Sequence, residues 1–271
     1  MGVTHSSTTG RSALNHAGRN HLLSLLPPAE RERILERGHK RALKLRQVLH
    51  AANGPVTHAY FPLSGMVSLV AKCEDDNAVV EVGVVGNEGL VGMPLFLGTA
   101  TTPTEAVCQV AGEALCLPAA AFEQELEGSR TLRQLLQRYT HVLMSQVSQS
   151  VVCNSAHSME QRMCRWLLVT HDRIGADEMA LTHEFLSQML GTRRPSVTIA
   201  AGALKKAGII DYARGKIVVL NRAGLEAGAC DCYRLVRGEF ERLLVVPATT
   251  PRAPGLSGPA HLSAQNVQRG P

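Results

Sequence analysis

The sequence predicts an α+β protein in which an antiparallel β-roll of the jelly-roll type is followed by a long helix and a smaller helical domain that closes with a β-hairpin. Three features of the 271-residue chain lead to this prediction. Short apolar runs broken by turn residues fill residues 47–118, and a three-four repeat of apolar residues spans 131–153. Two short amphipathic helices and a hairpin then follow in residues 182–220.

Composition and charge limit the classes of protein to which the chain can belong. Hydrophobic residues make up 45% of the chain, which is enough for a core, and only 4% are aromatic, so Val, Leu, Ala and Met must fill it. The net charge of +5 is a weak indication of a nucleic-acid partner. Seven scattered cysteines suggest no disulfide framework, so we expect a cytoplasmic protein. No run approaches the roughly 18 apolar residues of a membrane span, and no membrane partner is expected.

The two ends of the chain differ from its body. Residues 1–20 are rich in Ser, Thr, Gly and Asn and are predicted to form a disordered arm. Residues 247–271 hold five prolines, three glycines and no acidic residue, and are predicted to form a disordered Pro-rich tail. After the arm, a helical pattern runs from Leu22 to about Leu45.

The segment from Gln47 to Pro118 is predicted to form the strands of the roll. Val, Leu and Gly dominate it, and its short apolar runs are typical of β-strands. The predicted strand segments are HAYFPLSGMVSLVAKC, AVVEVGVVGNEGLVG and EAVCQVAGEALCLP. The turns between the strands are assigned to Asn53-Gly54, Ser64-Gly65, Asp75-Asp76-Asn77 and Gly86-Asn87.

The long helix carries a single apolar stripe, with Gln and Ser on the other side. That stripe has to be buried, and the sequence leaves two partners open: the roll of the same chain, or the same helix of a second copy in a dimer. The residues of the stripe are Leu132, Leu135, Leu136, Tyr139, Val142, Leu143, Val147 and Val151.

Residues 157–230 are predicted to hold three helices and a hairpin. The segment HSMEQRMCRWLLVTHDRI forms the first helix, and its Trp166 is expected in the core. Thr182 is a good N-cap for the second helix, and Gly191 supplies the tight turn after it. The third helix is predicted to be capped by Thr192, with Pro195 in its first turn, where the missing N–H costs little. Its buried stripe is Val197, Ala200, Ala201 and Leu204, and it is expected to end at Gly208.

The helix pair and the following hairpin around Arg214-Gly215 predict a winged helix-turn-helix. Between residues 193 and 222 the basic residues outnumber the single acid, Asp211, by seven to one. Bare N–H groups and arginines at a helix N-terminus attract anions, so the start of the third helix is predicted to face phosphates and guanine edges in the major groove. The seven basic residues are Arg193, Arg194, Lys205, Lys206, Arg214, Lys216 and Arg222.

The chain resembles the Crp–Fnr family of bacterial transcription regulators. The resemblance covers roughly residues 20–230 through YFPLSGMVSLVA, VGVVGNEGLVGMPLFLG, the long helix and the helix-turn-helix segment. It implies a cyclic-nucleotide-binding-like sensor domain (21–130), a dimerisation helix (131–156) and a winged helix-turn-helix DNA-binding domain (157–230). It further implies a homodimer through 131–153, a palindromic double-stranded DNA operator, RNA polymerase as a partner, and no enzymatic activity.

The resemblance also implies roles for residues of the helix pair. Thr182 matches a phosphate-contacting residue, Arg194 matches an arginine that reads guanine, and Ser196 matches a small hydroxyl residue near the DNA backbone. Pro195 and Ile199 depart from the cAMP-binding members, which predicts a different operator sequence. The expected DNA-binding residues are Thr182, Arg193, Arg194, Ser196, Thr198, Arg214 and Lys216.

For the sensor domain, the resemblance places the candidate effector-binding residues at Asn87, Glu88, Gly89 and Thr104. The family's cAMP site needs an arginine for the cyclic phosphate, and none of the residues between Lys72 and Arg130 is an arginine or lysine. Because burying a phosphate without a cation is costly, cAMP is not the expected effector. The sequence indicates no haem or iron–sulfur ligand set, and no cofactor is predicted.

Two alternatives stay open. Cys230 and Cys232 lie two positions apart, a spacing that can bind a metal or react with oxidants, although two ordinary thiols would have the same pattern. A regulator that responds to metal or redox state through this pair, or one that needs no ligand, is therefore an alternative. A β-roll protein that binds a ligand but no DNA is disfavoured because the Arg-rich helix is present. A cupin-like metal enzyme on the roll is disfavoured because residues 47–118 contain no HxH motif.

Overall fold

The structure, a computed structural model, describes residues 19–72 and 79–245. Residues 1–18 of the predicted arm, the predicted tail, Cys73 and the predicted turn at 75–77 lie outside the described residues. Within them, the prediction of a β-roll, a long helix and a winged helix-turn-helix is confirmed. None of the described helices combines the length and the apolar character needed to cross a membrane.

In the described part of the N-terminal domain there are seven strands and four helices. The strands make two antiparallel sheets, with the orders β1-β7-β3 and β2-β6-β4-β5, which enclose a small apolar interior. The strands are β1 (His39–Leu43), β2 (Val48–His50), β3 (His58–Pro62), β4 (Met66–Lys72), β5 (Val79–Val85), β6 (Glu105–Val110) and β7 (Gly112–Pro118). The helices are α1 (His21–Ser24), α2 (Pro28–Arg37), α3 (Met93–Phe96) and α4 (Ala119–Gly128).

The predicted helix from Leu22 to Leu45 is wrong in its last part. The helix α2 ends at Arg37, and the chain continues as strand β1, which pairs with β7 from His39↔Cys116 to Leu43↔Gly112. Backbone pairing with β7 outweighs the local helical preference of this segment. At Gly38 the chain passes so close to Leu115 and Leu117 that a Cβ would lie 2.8 Å from their methyl groups.

The apolar side chains of the long helix α5 (Arg130–Ala156) are buried in its first half and more exposed in its second half. In its first half Leu132, Leu135, Leu136, Tyr139 and Val142 are buried in the core of their own chain. In its second half the large apolar side chains Met144, Val151 and Val152 are exposed by 65%, 66% and 47%. Packing on the roll therefore accounts for only part of the stripe.

The C-terminal domain contains three further helices of the predicted motif and a small sheet. Helix α6 (Met159–Ile174) starts with a capping box from Ser158, and α7 (His183–Met189) and α8 (Arg194–Lys206) form the helix pair. Strands β8 (Glu178–Ala180), β9 (Ile210–Ala213) and β10 (Lys216–Val219) make an antiparallel sheet of order β8-β10-β9, of which β8 was not predicted. Trp166 is buried in the core of this domain, as expected.

The last described segment returns to the N-terminal domain. After α9 (Arg222–Gly228), helix α10 (Cys232–Phe240) and a π-helical turn (Glu241–Val245) run along α5. Val236, Phe240 and Leu244 join the core formed by α5 and the roll. The carbonyl oxygen of Leu244 lies 2.9 Å from Nε2 of His21. The last described residues therefore pack the C-terminal domain against the roll.

Two carboxylates of the roll join the domains. Arg173 of α6 and Glu88, which follows β5, form an ion pair of 2.8 Å in which both side chains are almost completely buried. Glu81 of β5 accepts hydrogen bonds from the Trp166 indole N–H at 2.9 Å and from the Ser68 hydroxyl at 2.6 Å. The position of α6 relative to the roll is thus fixed by specific polar contacts.

Glu81 predicts a pH dependence of stability. Burial raises the pKa of Glu81 to about 7, against the opposing effects of Ser68, Trp166 and the more distant Arg165 and Arg173. At pH values between the usual pKa of a glutamate and 7, Glu81 keeps a proton in the folded protein that it releases in the unfolded chain. Stability therefore falls as the pH rises through this range, and the loss is complete above pH 7. Glu81→Gln removes the charge, and its amide can accept from Trp166 and donate to the Ser68 hydroxyl, which can then donate to Gln109. We expect it to stabilise the protein by on the order of 2 kcal/mol at pH 8, and by much less at pH 5.

Urea unfolding followed by the fluorescence of Trp166, the single tryptophan, measures this difference. Glu123→Gln, at an exposed position, is the matched control and should change stability little at either pH. An equal change of stability for Glu81→Gln at pH 5 and pH 8 would contradict the assignment.

Candidate DNA-binding interface

The start of α7 is fixed by its predicted cap. The hydroxyl oxygen of Thr182 accepts the backbone N–H of Phe185 at 3.1 Å, and the side chain stays exposed. Leu186, Met189 and Leu190 bury the inner face of the helix. Gly191, with φ of 54°, makes the tight turn into α8, as predicted. Thr182 therefore lies exposed at the N-cap of α7.

The N-terminal end of α8 has no side-chain cap. The N-cap residue is Arg193, and the expected cap by Thr192 is wrong, because Thr192 belongs to the preceding turn and donates its N–H to Ser187 at 2.9 Å. Pro195 lies in the first turn, as predicted. Since neither a side-chain acceptor nor an acidic residue occupies this turn, the positive end of the helix dipole is open to an external anion.

The predicted basic residues divide into two groups. Lys205 is paired with Asp211 at 2.6 Å, Lys216 with Glu178 at 2.5 Å, and Arg222 with Asp172 at 2.8 Å. The other four form no ion pair with any carboxylate in residues 19–72 and 79–245, and they remain available for an external anion; they are Arg193, Arg194, Lys206 and Arg214. Lys216, which was expected to bind DNA, is thus partly neutralised within the chain.

Thr198 and Ser196 lie on the same helix with different surroundings. The Thr198 hydroxyl donates to the carbonyl of Arg194 at 3.1 Å and lies 3.0 Å from Nδ1 of His183. Ser196 is half-buried in the first turn. Ile199 stands on the outer surface and is 70% exposed, an unusual environment for a large aliphatic side chain. Thr198 therefore has a structural role in addition to the predicted one.

His183 is a site residue that the sequence reasoning missed. Its ring stacks on Tyr212 of β9 with 4.0 Å between centroids, while its Nδ1 contacts Thr198 of α8. Burial and the nearby Arg194 lower the pKa of His183, so the ring is neutral at physiological pH. The ring links α7, α8 and the hairpin. Its position directly after the Thr182 cap was the available signal.

The hairpin turn lies beside the start of α7. Arg214 and Gly215 both adopt positive φ, 51° and 77°, which is the geometry of a tight two-residue hairpin turn. A Cβ on Gly215 would lie 3.4 Å from the Thr182 methyl group. The structure thus brings the hairpin turn next to the Thr182 cap. We call the exposed and half-buried residues of the Thr182 cap, the start of α8 and the hairpin turn the α8 surface; they are Thr182, Arg193, Arg194, Pro195, Ser196, Thr198, Ile199 and Arg214.

A solvent-open cavity of about 330 Å³ lies between the sheet of the roll, the segment 90–104 and α5. Leu69, Leu90 and Leu143 line it, and Thr104 contributes a hydroxyl group. His50 is the one titratable side chain among the described residues that line it, and burial lowers the pKa of His50, so the ring is neutral. The described lining therefore includes no arginine or lysine that could neutralise a phosphate.

The other candidate effector residues belong to a packed turn outside this cavity. Asn87 is buried, and its carbonyl oxygen accepts the N–H of His21 at 2.7 Å. Glu88 is held by Arg173, and a Cβ on Gly89 would collide with the hydroxyl of Tyr139. Of the four predicted residues, only Thr104 lines the cavity.

Comparison with known families and structures agrees with this arrangement. The family model described as a cyclic nucleotide-binding domain matches residues 40–129, and that described as a Crp-like helix-turn-helix domain matches residues 161–227. No curated protein matches the sequence of the chain significantly.

Several solved structures share the fold. A regulator of the Crp/Fnr family from Eubacterium rectale is 17% identical, with a TM-score of 0.61 over 79% of this chain and 97% of that one. FixK2 from Bradyrhizobium japonicum is 15% identical, with a TM-score of 0.61 over 71% and 98%. A Crp/Fnr-family regulator from Thermus thermophilus is 22% identical, with a TM-score of 0.58 over 70% and 98%.

These identities establish the fold, and the two matching domain models establish the family. Both models match in the order in which the structure places the roll and the helix pair. The protein belongs to the Crp/Fnr family of DNA-binding transcription regulators, which are not enzymes.

Proposed function

We propose that this regulator binds a palindromic DNA operator as a homodimer, reads base edges with the α8 surface, and does not use cAMP as its effector. Residues 21–130 then serve as the sensor domain, 131–156 as the dimerisation helix and 157–230 as the DNA-binding domain. The observation that carries the proposal is the uncapped N-terminus of α8, where Arg193 and Arg194 form no ion pair within the described residues and the exposed Ile199 follows in the second turn.

The residues of the α8 surface fit different parts of a DNA duplex. Arg194 lies in the first turn of α8, where a side chain entering the major groove meets base edges, and its guanidinium group suits the O6 and N7 atoms of guanine. Ile199 and Pro195 offer apolar contacts to a thymine methyl group. Thr182 and Arg214 flank the helix, at positions suited to the phosphates on either side.

Dimerisation through α5 is supported by the apolar side chains that the roll leaves uncovered. Met144, Val147 and Val151 follow each other at three- and four-residue spacing, and Met144 and Val151 are about two-thirds exposed. A seam of this kind packs two copies of the helix around a two-fold axis. Two α8 helices would then face two half-sites about one turn of DNA apart.

Selection from a pool of random duplex DNA tests the proposal. We expect the purified protein, without added ligand, to enrich a two-fold symmetric motif. A folded, dimeric protein that enriches no motif, and whose binding only falls with salt concentration, would instead be a non-specific DNA-binding protein. RNA polymerase is a further proposed partner, and it rests on the family resemblance alone.

Val151→Glu is predicted to break the dimer. Two carboxylates would meet at the two-fold axis of an apolar seam, where burial of unpaired charge is strongly unfavourable. Sedimentation equilibrium should report a mass shift towards 29.1 kDa, the mass of one chain, while the circular dichroism spectrum stays unchanged. Val151→Leu is the control at the same position and should remain dimeric. If Val151→Glu also remains dimeric, the seam lies elsewhere.

The cavity in the roll predicts the response to cyclic nucleotides. A cyclic phosphate would meet only neutral groups among the described lining residues, so desolvation of its charge would go uncompensated. We expect millimolar cAMP to leave both the thermal unfolding midpoint and the affinity for the selected operator unchanged. A clear rise of the midpoint with cAMP concentration would contradict this prediction. An uncharged, mainly apolar ligand that hydrogen-bonds to His50 and Thr104 fits the cavity better.

A further inference from the structure

Four potential metal ligands meet at the C-terminal end of α5. Cys153 and His157 are one helical turn apart, at the last turn of α5 and its C-cap, and Cys230 and Cys232 flank the start of α10. Their ligand atoms all lie within 4.8 Å of one another. The three cysteines form a small cluster that is separate from the larger hydrophobic cores, and all three are buried. The two halves come from segments about 75 residues apart in the chain.

The distances within this group, the CCHC cluster (Cys153, His157, Cys230 and Cys232), match a tetrahedral site. The sulfur atoms of Cys153 and Cys230 are 3.5 Å apart, and the sulfur of Cys232 lies 3.4 Å from Nδ1 of His157. Zinc–sulfur bonds of about 2.3 Å in a tetrahedron place neighbouring sulfur atoms roughly 3.8 Å apart. Only small side-chain movements separate the cluster from that geometry.

The surroundings of the cluster suit a metal bound by thiolates. The side-chain amide of Gln149 donates a hydrogen bond to the sulfur of Cys232 at 3.1 Å, a contact that orients and stabilises a thiolate ligand. Arg162 of α6 donates a hydrogen bond to the side chain of Asn154, the neighbour of Cys153, at 2.9 Å, so a guanidinium group lies beside the last turn of α5. Three thiolates, a neutral imidazole and a divalent cation carry a net charge of −1, which such guanidinium groups compensate.

We propose that the CCHC cluster binds one zinc ion per chain. Three cysteines and one histidine are a ligand set of structural zinc sites, in which protein side chains fill all four positions. On binding, each thiol loses its proton to solvent and each sulfur donates a lone pair to the ion, with no change in oxidation state. This inference goes beyond the proposed DNA-binding function and does not depend on it.

The site would join the long helix to the end of the DNA-binding domain. Cys153 and His157 lie just before the connection from α5 to α6, and Cys230 and Cys232 lie between α9 and α10. A bound ion would therefore fix the direction in which α6 leaves α5. It would also hold α10 against α5, where Val236 and Phe240 pack into the shared core.

Metal analysis of the full-length protein, purified under reducing conditions, tests the proposal. We expect one zinc ion per chain, and after its removal one cobalt ion with the visible bands and thiolate charge-transfer absorption of a tetrahedral site. Cys232→Ala and His157→Ala should each lower the metal content or affinity at least tenfold. Cys164→Ala, at a buried cysteine outside the cluster, should keep one ion per chain.

Three outcomes would overturn the proposal. The first is a folded, reduced protein that takes up neither zinc nor cobalt. The second is a disulfide between Cys153 and Cys230 in the protein purified under those reducing conditions, detected by mass spectrometry of non-reduced peptides. The third is iron with acid-labile sulfide in place of zinc. If both ligand variants fail to fold, the cobalt spectrum of the unaltered protein still decides, since thiolate charge-transfer bands require cysteine ligands.

Discussion

Arg194→Ala should weaken binding to the selected operator by about 1–3 kcal/mol for each half-site and relax the base preference at one position of each. Arg194 has no carboxylate partner within the described residues, so its guanidinium group reaches DNA without first breaking an ion pair. In the proposed complex, its loss removes a bidentate contact to guanine and leaves the base acceptors unpaired in the interface. Fluorescence anisotropy with the operator and a set of single-base variants measures both effects.

Two other variants separate base reading from general attraction to DNA. Arg214→Ala, in the hairpin turn, should weaken binding to all sequences alike and reduce its salt dependence, as expected for a phosphate contact. Lys205→Ala should have a small effect, because Lys205 is paired with Asp211 at the far end of α8. If Arg194→Ala weakens binding equally on every sequence, Arg194 contacts a phosphate and another residue reads the base.

Glu88→Ala should destabilise the protein by about 3–5 kcal/mol, the largest effect expected for a single substitution outside the hydrophobic cores. Glu88 is fully buried and its partner Arg173 is 3% exposed. Without the carboxylate, the Arg173 charge remains buried between the domains and has lost its ion-pair partner, although Arg173 still donates to the Val169 carbonyl at 3.0 Å and lies over the Phe240 ring. Urea unfolding at pH 8, followed by Trp166 fluorescence, gives the free energy.

The exposed pair of Glu178 and Lys216 is the control for this measurement. Both side chains are more than half exposed, and Glu178→Ala should cost less than about 1 kcal/mol. Replacing Glu88 and Arg173 together by Leu and Met should recover much of the loss, because no unpaired charge is then left. If Glu88→Ala costs no more than Glu178→Ala, the buried pair contributes little, and Glu88 is free to bind a ligand.

Local patterns predicted the elements that depend on neighbouring residues. The apolar stripe of α8, the Thr182 cap, the left-handed Gly191 and Gly208, and the Arg214-Gly215 turn are all present in the structure. Each is determined within a few residues by helix periodicity, capping or turn geometry. The helix-turn-helix and its wing were therefore predictable from the sequence alone.

Features set by distant parts of the chain were not predictable in this way. Strand β1 has a helical pattern and becomes a strand because β7 offers a pairing edge. The role of Glu88 depends on Arg173, which lies 85 residues later, and the ion pair gives no local signal. The pair Cys230 and Cys232 was visible in the sequence. Its completion by Cys153 and His157 depends on α10 folding back along α5.

The contact between Arg194 and guanine can be tested most directly with 7-deazaguanine, which lacks the N7 acceptor but still pairs with cytosine. We expect this substitution at one guanine of each half-site to weaken binding of the unaltered protein by about 1–3 kcal/mol. The same substitution should weaken Arg194→Ala no further, since the contact is already missing. Base reading by α8 would be contradicted if the replacement weakened both proteins equally. It would also be contradicted if no guanine in either half-site affected binding when replaced.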